Sequence, residues 1–128
     1  MLEAGLTGEQ KVVVTQENTA KVYGSGELEV FATPAMIALM EKTCLMSVAD
    51  SLNDGEGTVG TKIEVSHVAA TPVGMEVRCE SVLKEVDRRR LVFEVKAYDA
   101  AGLIGEGIHE RFVIANEPFM AKANGKLK

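Results

Sequence analysis

The chain has 128 residues, 46% of them hydrophobic and 26% charged, a length and balance that fit one domain able to bury its own core without disulfide or metal staples. A formal net charge of -5 argues against a nucleic-acid partner, because phosphates are neutralised on a basic surface. No apolar run approaches the roughly 18 residues that span a bilayer, and MLEAGLTGEQ lacks the basic start and apolar run of a leader, so a cytoplasmic protein without a membrane partner is expected.

Residues 11–15, KVVVT, predict a short strand, and the polar stretch QENTAKVYGSGELE after it predicts a loop. The period then changes in TPAMIALMEKTCLMSVADSLNDGEG. Thr33 suits an N-cap, Pro34 the first helical position and Gly55 a stop, which predicts a helix over about 34–53. Its charges are Glu41, Lys42 and Asp50, and apolar residues lie on almost all sides, so it is expected to be covered over most of its surface.

Four strands are predicted next, at about 57–69, 74–86, 89–99 and 103–115. The connections TPVG, VDRRR and DAAG are too short to hold crossover helices, so neighbouring strands are antiparallel. Met75, Val77, Cys79 and Leu83 share one face, while Val82 and Val86 imply a register change at a bulge. Leu91, Phe93, Val95 and Ala97 face inward. The last strand sets Ile104, Ile108, Phe112 and Ile114 on one face and His109, Arg111 and Val113 on the other; the second set reads as a solvated face or, alternatively, as an anion site. The tail NEPFMAKANGKLK is expected to be a surface extension with a basic end. One strand, a buried helix and four antiparallel strands make an α+β domain over residues 1–128, with the sheet wrapped round the helix.

Cys44 and Cys79 have no CxxC spacing and no histidine cluster beside them, so they read as reduced core residues, and no metal site is expected. Two other residues carry a sharper question. In GTKIEVSHVAATP, residues 60–72, a period of two puts Ile63, Val65, His67 and Ala69 on one face, so His67 is either a satisfied core histidine or the wall of a pocket. Glu41 has Ile37, Ala38, Cys44 and Leu45 at helical spacing; it either reaches an edge and pairs with Lys42 or Arg111, or works as an acid, base or nucleophile in a partly dry pocket. Thr33 is accounted for as a cap, and Arg88, Arg89 and Arg90 as an exposed turn that could also meet phosphates. The glycines of GEGTVGT match no nucleotide-binding fingerprint, and no GxSxG occurs.

The runs VFATPAMIALMEKTC, GTVGTKIEVSHVAATPVG and GEGIHERFVI resemble, in order and spacing, segments of hotdog-fold thioesterases of the fluoroacetyl-CoA thioesterase-like family, over residues 7 to 118 or so. The resemblance implies a hotdog fold of about five antiparallel strands around a long central helix, and a homodimer, or a larger assembly built from it, with sites completed at the protomer interface. It implies hydrolysis of a small or short-chain acyl-CoA by Thr33, Glu41 and His67, with Gly60 and Arg111 at substrate-contacting positions. No cofactor is expected, coenzyme A being part of the substrate; its phosphates would meet Arg111, the arginine turn or the C-terminal lysines. The segment KVYGSGELEVFAT is short and carries only Tyr23 and Phe31 as aromatics, where the family's namesake has a longer aromatic cover, so fluoroacetyl itself is not the expected acyl group. A noncatalytic acyl-CoA-binding hotdog protein is the alternative; a hotdog dehydratase is weaker, since its Asp-His pair and glycine-rich motif are not evident.

Overall fold

The structure is a computed structural model that describes residues 2–127; Met1 and Lys128, the last of the C-terminal lysines, lie outside the described residues. In chain order it comprises β1 (Thr7–Val13), a one-turn helix α1 (Ala20–Tyr23), the long helix α2 (Thr33–Val48), β2 (Glu56–His67), β3 (Glu76–Asp87), β4 (Arg90–Asp99), β5 (Gly102–Ala115) and a C-terminal helix α3 (Asn116–Asn124). The five strands form one sheet in the order β1-β3-β4-β5-β2, antiparallel at every step. β3, β4 and β5 are joined by tight hairpins, the first of them turning at Arg88 with a φ of 59°. No helix among the described residues is long and apolar enough to cross a membrane.

The sheet curls round α2 because one face of each element is apolar. α2 buries Ala35, Met36, Leu39, Met40, Thr43, Cys44 and Val48, a stripe at i, i+1, i+4 and i+5 spacing that meets Val77, Cys79, Leu83, Leu91, Phe93, Val95 and Ala97 of the central strands. Those strand residues alternate, as a sheet with one face on the core requires. At β1 the helix comes so close that a Cβ on Gly8 would lie 2.7 Å from the Ser47 Cβ and 2.9 Å from the Thr43 carbonyl oxygen. With tryptophan absent, the core is filled by aliphatic and methionine side chains around Phe31 and Phe93.

Several expectations shift. β1 starts four residues before KVVVT and ends within it, because its ladder with β3 runs from Thr7 opposite Val82 to Val13 opposite Glu76. The loop before α2 contains α1, capped by the Thr19 hydroxyl. α2 ends at Val48 and tightens into a 3-10 turn over Ala49–Ser51, and only its sheet-facing side is covered: Leu45 and Met46 are exposed on the other. The tail is not a plain extension, since Asn116–Asn124 is helical, although it buries nothing. In β3 the expected bulge is present at Lys84, between the Leu83 and Glu85 pairings, and it brings Val86 back against the core.

The largest correction concerns β5. His109, Arg111 and Val113 do not form a solvated face; they point inward, while Ile108 and Phe112 are 45% and 38% exposed. The register decides it. His109 lies opposite Phe93 and Arg111 opposite Leu91, both core residues, and directly paired residues share a face.

Candidate active site

β2 is the outer strand next to β5, and its inward residues begin with Thr58 and Gly60, opposite Val113 and Arg111. The ladder then slips between Gly60 and Lys62. Thr61 is the extra residue of a β-bulge, so the inward positions change from even to odd and continue with Ile63, Val65 and His67 opposite His109, Gly107 and Gly105. The bulge is thus what lets Gly60 and His67 look the same way. Ala69 lies past the end of β2 and is exposed.

Arg111 is 5% exposed and all three nitrogens of its guanidinium have a hydrogen-bond partner. Nε donates to the Thr58 hydroxyl (2.8 Å), Nη2 donates to the Thr58 carbonyl (2.9 Å), and Nη1 lies 3.1 Å from His109 Nε2. His109 Nδ1 is 2.8 Å from the Lys62 carbonyl oxygen. A carbonyl only accepts, so Nδ1 carries the ring proton and Nε2 offers its lone pair to Arg111. Burial, and then the Arg111 charge, push His109 below the ordinary histidine value, with the Lys62 hydrogen bond and Glu41 opposing; the ring is therefore neutral near pH 7.

Glu41 leaves α2 at the level of this pair. Its Oε2 lies 3.6 Å from Arg111 Nη1 and 4.0 Å from His109 Nε2, and its side chain is 44% exposed. The carboxylate can sit there because position 60 has no side chain: a Cβ on Gly60 would be 2.5 Å from Glu41 Oε2 and 3.1 Å from His109 Cε1. One carboxylate is thus anchored on a buried cation and still reachable from outside, the arrangement wanted for a nucleophile or general base.

Thr33 and His67 meet elsewhere. Ala32, not Thr33, is the N-cap of α2, and Pro34 sits one residue further into the helix than expected. Thr33 Oγ1 is instead 2.7 Å from His67 Nδ1, beside an open cleft of ≈ 280 Å³ lined by Val30, Phe31, His67, Val68 and Ala69 among others. His67 Nε2 is buried without a hydrogen-bond partner among the described residues. Burial lowers the His67 pKa, partly offset by the Ala69 backbone.

Within one chain the structure therefore makes two half-sites. Gly60, Glu41 and Arg111 come together; Thr33 and His67 come together; the two sets are separated by the eight residues from Thr33 to Glu41, roughly 12 Å of helix rise. Thr58 and the inward role of His109 are not apparent from residue pattern; their signal is the alternation of His109 with Arg111, legible only once the register is known. The arginine turn is largely spoken for: Arg90 forks onto Glu110 at 3.1 Å, and Arg89 donates to the Val113 carbonyl. Cys44 and Cys79 are buried and free; burial pushes the Cys44 thiol up to about 12, so it is no nucleophile.

A sheet wrapped round one long helix, with a half-exposed carboxylate held by a buried arginine, is the architecture of a hotdog-fold thioester hydrolase. Residues 14–117 match the family described as fluoroacetyl-CoA-specific thioesterase. The chain belongs to that family. It is 48% identical over 98 residues to the fluoroacetyl-CoA thioesterase of Streptantibioticus cattleyicolor, covering 77% of this chain and 70% of that one. The solved structure of the fluoroacetyl-CoA thioesterase FlK superposes with a TM-score of 0.92 at 39% identity over 98% of each chain. A thioesterase-superfamily protein of Thermus thermophilus superposes with a TM-score of 0.88 at 27% identity, over 100% of this chain and 98% of the other.

Proposed function

We propose that this chain hydrolyses the thioester of a small or short-chain acyl-CoA to the free acid and coenzyme A, using Glu41, His67 and Thr33, with Gly60 and Arg111 framing the reacting group. The observation that carries this reading is the Glu41 carboxylate lodged against Gly60, 3.6 Å from a buried Arg111 and still part exposed. In the reaction, water adds to the thioester carbonyl, the C–S bond breaks and the departing thiolate takes a proton. Glu41 supplies the carboxylate that activates this water; alternatively it attacks the carbonyl itself, the C–S bond breaking to leave an acyl-Glu41 anhydride that the water then hydrolyses, restoring the carboxylate. His67, neutral near pH 7, accepts a proton and returns it to the sulfur, and the Thr33 hydroxyl at 2.7 Å orients its ring. Gly60 leaves the backbone open to close approach by the substrate carbonyl.

The same proposal includes a homodimer, because one chain holds the set as two separated halves. Two features support a second copy. β2 is an edge strand with no neighbour on its outer side among the described residues, a row of peptide groups ready to pair. The uncovered side of α2 carries Leu45 and Met46, both exposed. A cytoplasmic location goes with the proposal, supported by two cysteines left free.

The test is release of free thiol from a panel of acyl-CoAs by the wild-type chain, Glu41→Ala and His67→Ala. Turnover of a short-chain member that both variants reduce by about 100-fold or more is expected. Wild-type turnover no faster than that of both variants, with acyl-CoA still bound, would instead leave a binding protein.

A further inference from the structure

We propose that His109 is a positioning residue of this site: its Nε2 lone pair fixes the rotamer of Arg111 Nη1 and, through it, the place of the Glu41 carboxylate. Both ring nitrogens are committed. Nδ1–H donates to the Lys62 carbonyl at 2.8 Å and Nε2 accepts from Arg111 at 3.1 Å, so neither is free to touch a substrate. The ring is also held from behind, stacked on Phe93 with 6.3 Å between centroids and 28° between planes. It is 1% exposed.

The geometry makes a chain of support running from β2 to α2. The Lys62 carbonyl, just past the bulge, orients the imidazole; the imidazole receives one N–H of Arg111; Thr58 receives two more through its hydroxyl and its carbonyl. The guanidinium is planar and has five N–H groups in a fixed fork. Three acceptors on three sides leave it one orientation, with Nη1 toward Glu41. Without the Nε2 acceptor, Nη1 would lose a hydrogen bond in a buried place and the guanidinium could turn about Thr58, carrying the carboxylate's anchor with it. A lysine in place of Arg111 could not satisfy the same three acceptors.

This inference rests on the thioesterase reading, and its test has a part that does not. With ¹⁵N-labelled histidine, the NMR signals of His109 should report the Nδ1–H tautomer near neutral pH; an Nε2–H tautomer would overturn the proposal even if no acyl-CoA were ever turned over. In kinetics, His109→Phe keeps the ring and its stacking but loses both hydrogen bonds. His109→Asn can reach Lys62 but is too short for Arg111. His109→Gln restores an acceptor near the Nε2 position. The expectation is a loss on the order of 10- to 100-fold for Phe and Asn, borne mainly by kcat, and a loss within about threefold for Gln. His109→Phe should also add little to Arg111→Ala, because it acts through that residue. Wild-type rates in His109→Phe, a Gln variant as poor as Phe, or losses that multiply in full with Arg111→Ala would each reject it. If His109→Phe does not fold, the Gln and Asn pair decides by the same measure.

Discussion

At the scale of single residues, the site turns on groups that are missing or neutral. Gly60 is the clearest: a methyl added there would meet Glu41 Oε2 at 2.5 Å. Gly60→Ala should therefore lower kcat/KM on the order of 10- to 100-fold by displacing the carboxylate, while the melting temperature changes little, because the severe overlap is with the part-exposed end of Glu41 and the contact with buried His109, at 3.1 Å, is only tight. A wild-type rate in that variant would show that Glu41 works from some other position. The two histidines make a second prediction. Burial holds both His67 and His109 below the ordinary value of 6.5. Unfolding returns them to it, so as pH falls through about 6.5 toward the folded values the unfolded chain binds more protons and stability is lost; above 6.5 it is fully present. Melting temperature should drop between about pH 7 and pH 5, and drop less in His109→Gln. The Arg90 fork that lowers the Glu110 pKa acts in the same direction, but only below the carboxylate value of 4.5. A melting temperature flat across the upper window would contradict the burial of these rings. Glu41 was legible as an oddity in sequence because three of its neighbours at helical spacing are aliphatic. His109 was not, because an inward polar residue beside outward Ile108 and Phe112 inverts the pattern that pleating normally writes.

At the scale of elements, β3 and β4, whose inward faces lie in the core beneath α2, were the readable ones. β4 alternates Leu91, Phe93, Val95 and Ala97 without interruption and all four are buried; β3 announced its bulge by placing valines on both parities. The helix was readable in the middle and misread at its start. Thr33-Pro34 looks like a capping pair, yet the chain enters α2 one residue earlier and the threonine hydroxyl is spent on His67. Only the position of β2 beside the helix could reveal that. Thr33→Val tests the distinction. Loss of a true N-cap costs about 1 kcal/mol; here the melting temperature should stay near wild type while turnover falls, and the reverse result would return Thr33 to a capping role. Gly8 gives the packing counterpart. A valine there would drive β1 against Ser47 and the Thr43 carbonyl, and should cost about 1–3 kcal/mol by overpacking, measurable by urea denaturation, with the active-site geometry untouched.

At the scale of the molecule, the separation of Thr33 and His67 from Glu41 becomes an arithmetic statement. If each working site takes Glu41 from one protomer and His67 from its partner, then Glu41→Ala and His67→Ala chains, each inactive alone, should regain activity when unfolded together and refolded. Random pairing makes half the dimers mixed, with one intact site of two, so about one quarter of wild-type activity is expected. No recovery, with mixed dimers shown to form by mass, would put the whole set in one chain. The bulge at Thr61 has a practical consequence of the same reach. On its two sides the inward residues of β2 have opposite parity, even through Gly60 and odd from Ile63. A chimera joined to a relative within this strand is therefore a choice of phase as well as of residues. A donor segment that enters between Gly60 and Ile63 without its own extra residue will deliver a correct sequence with His67 out of step, and crossover points for recombining these enzymes belong in the turns on either side.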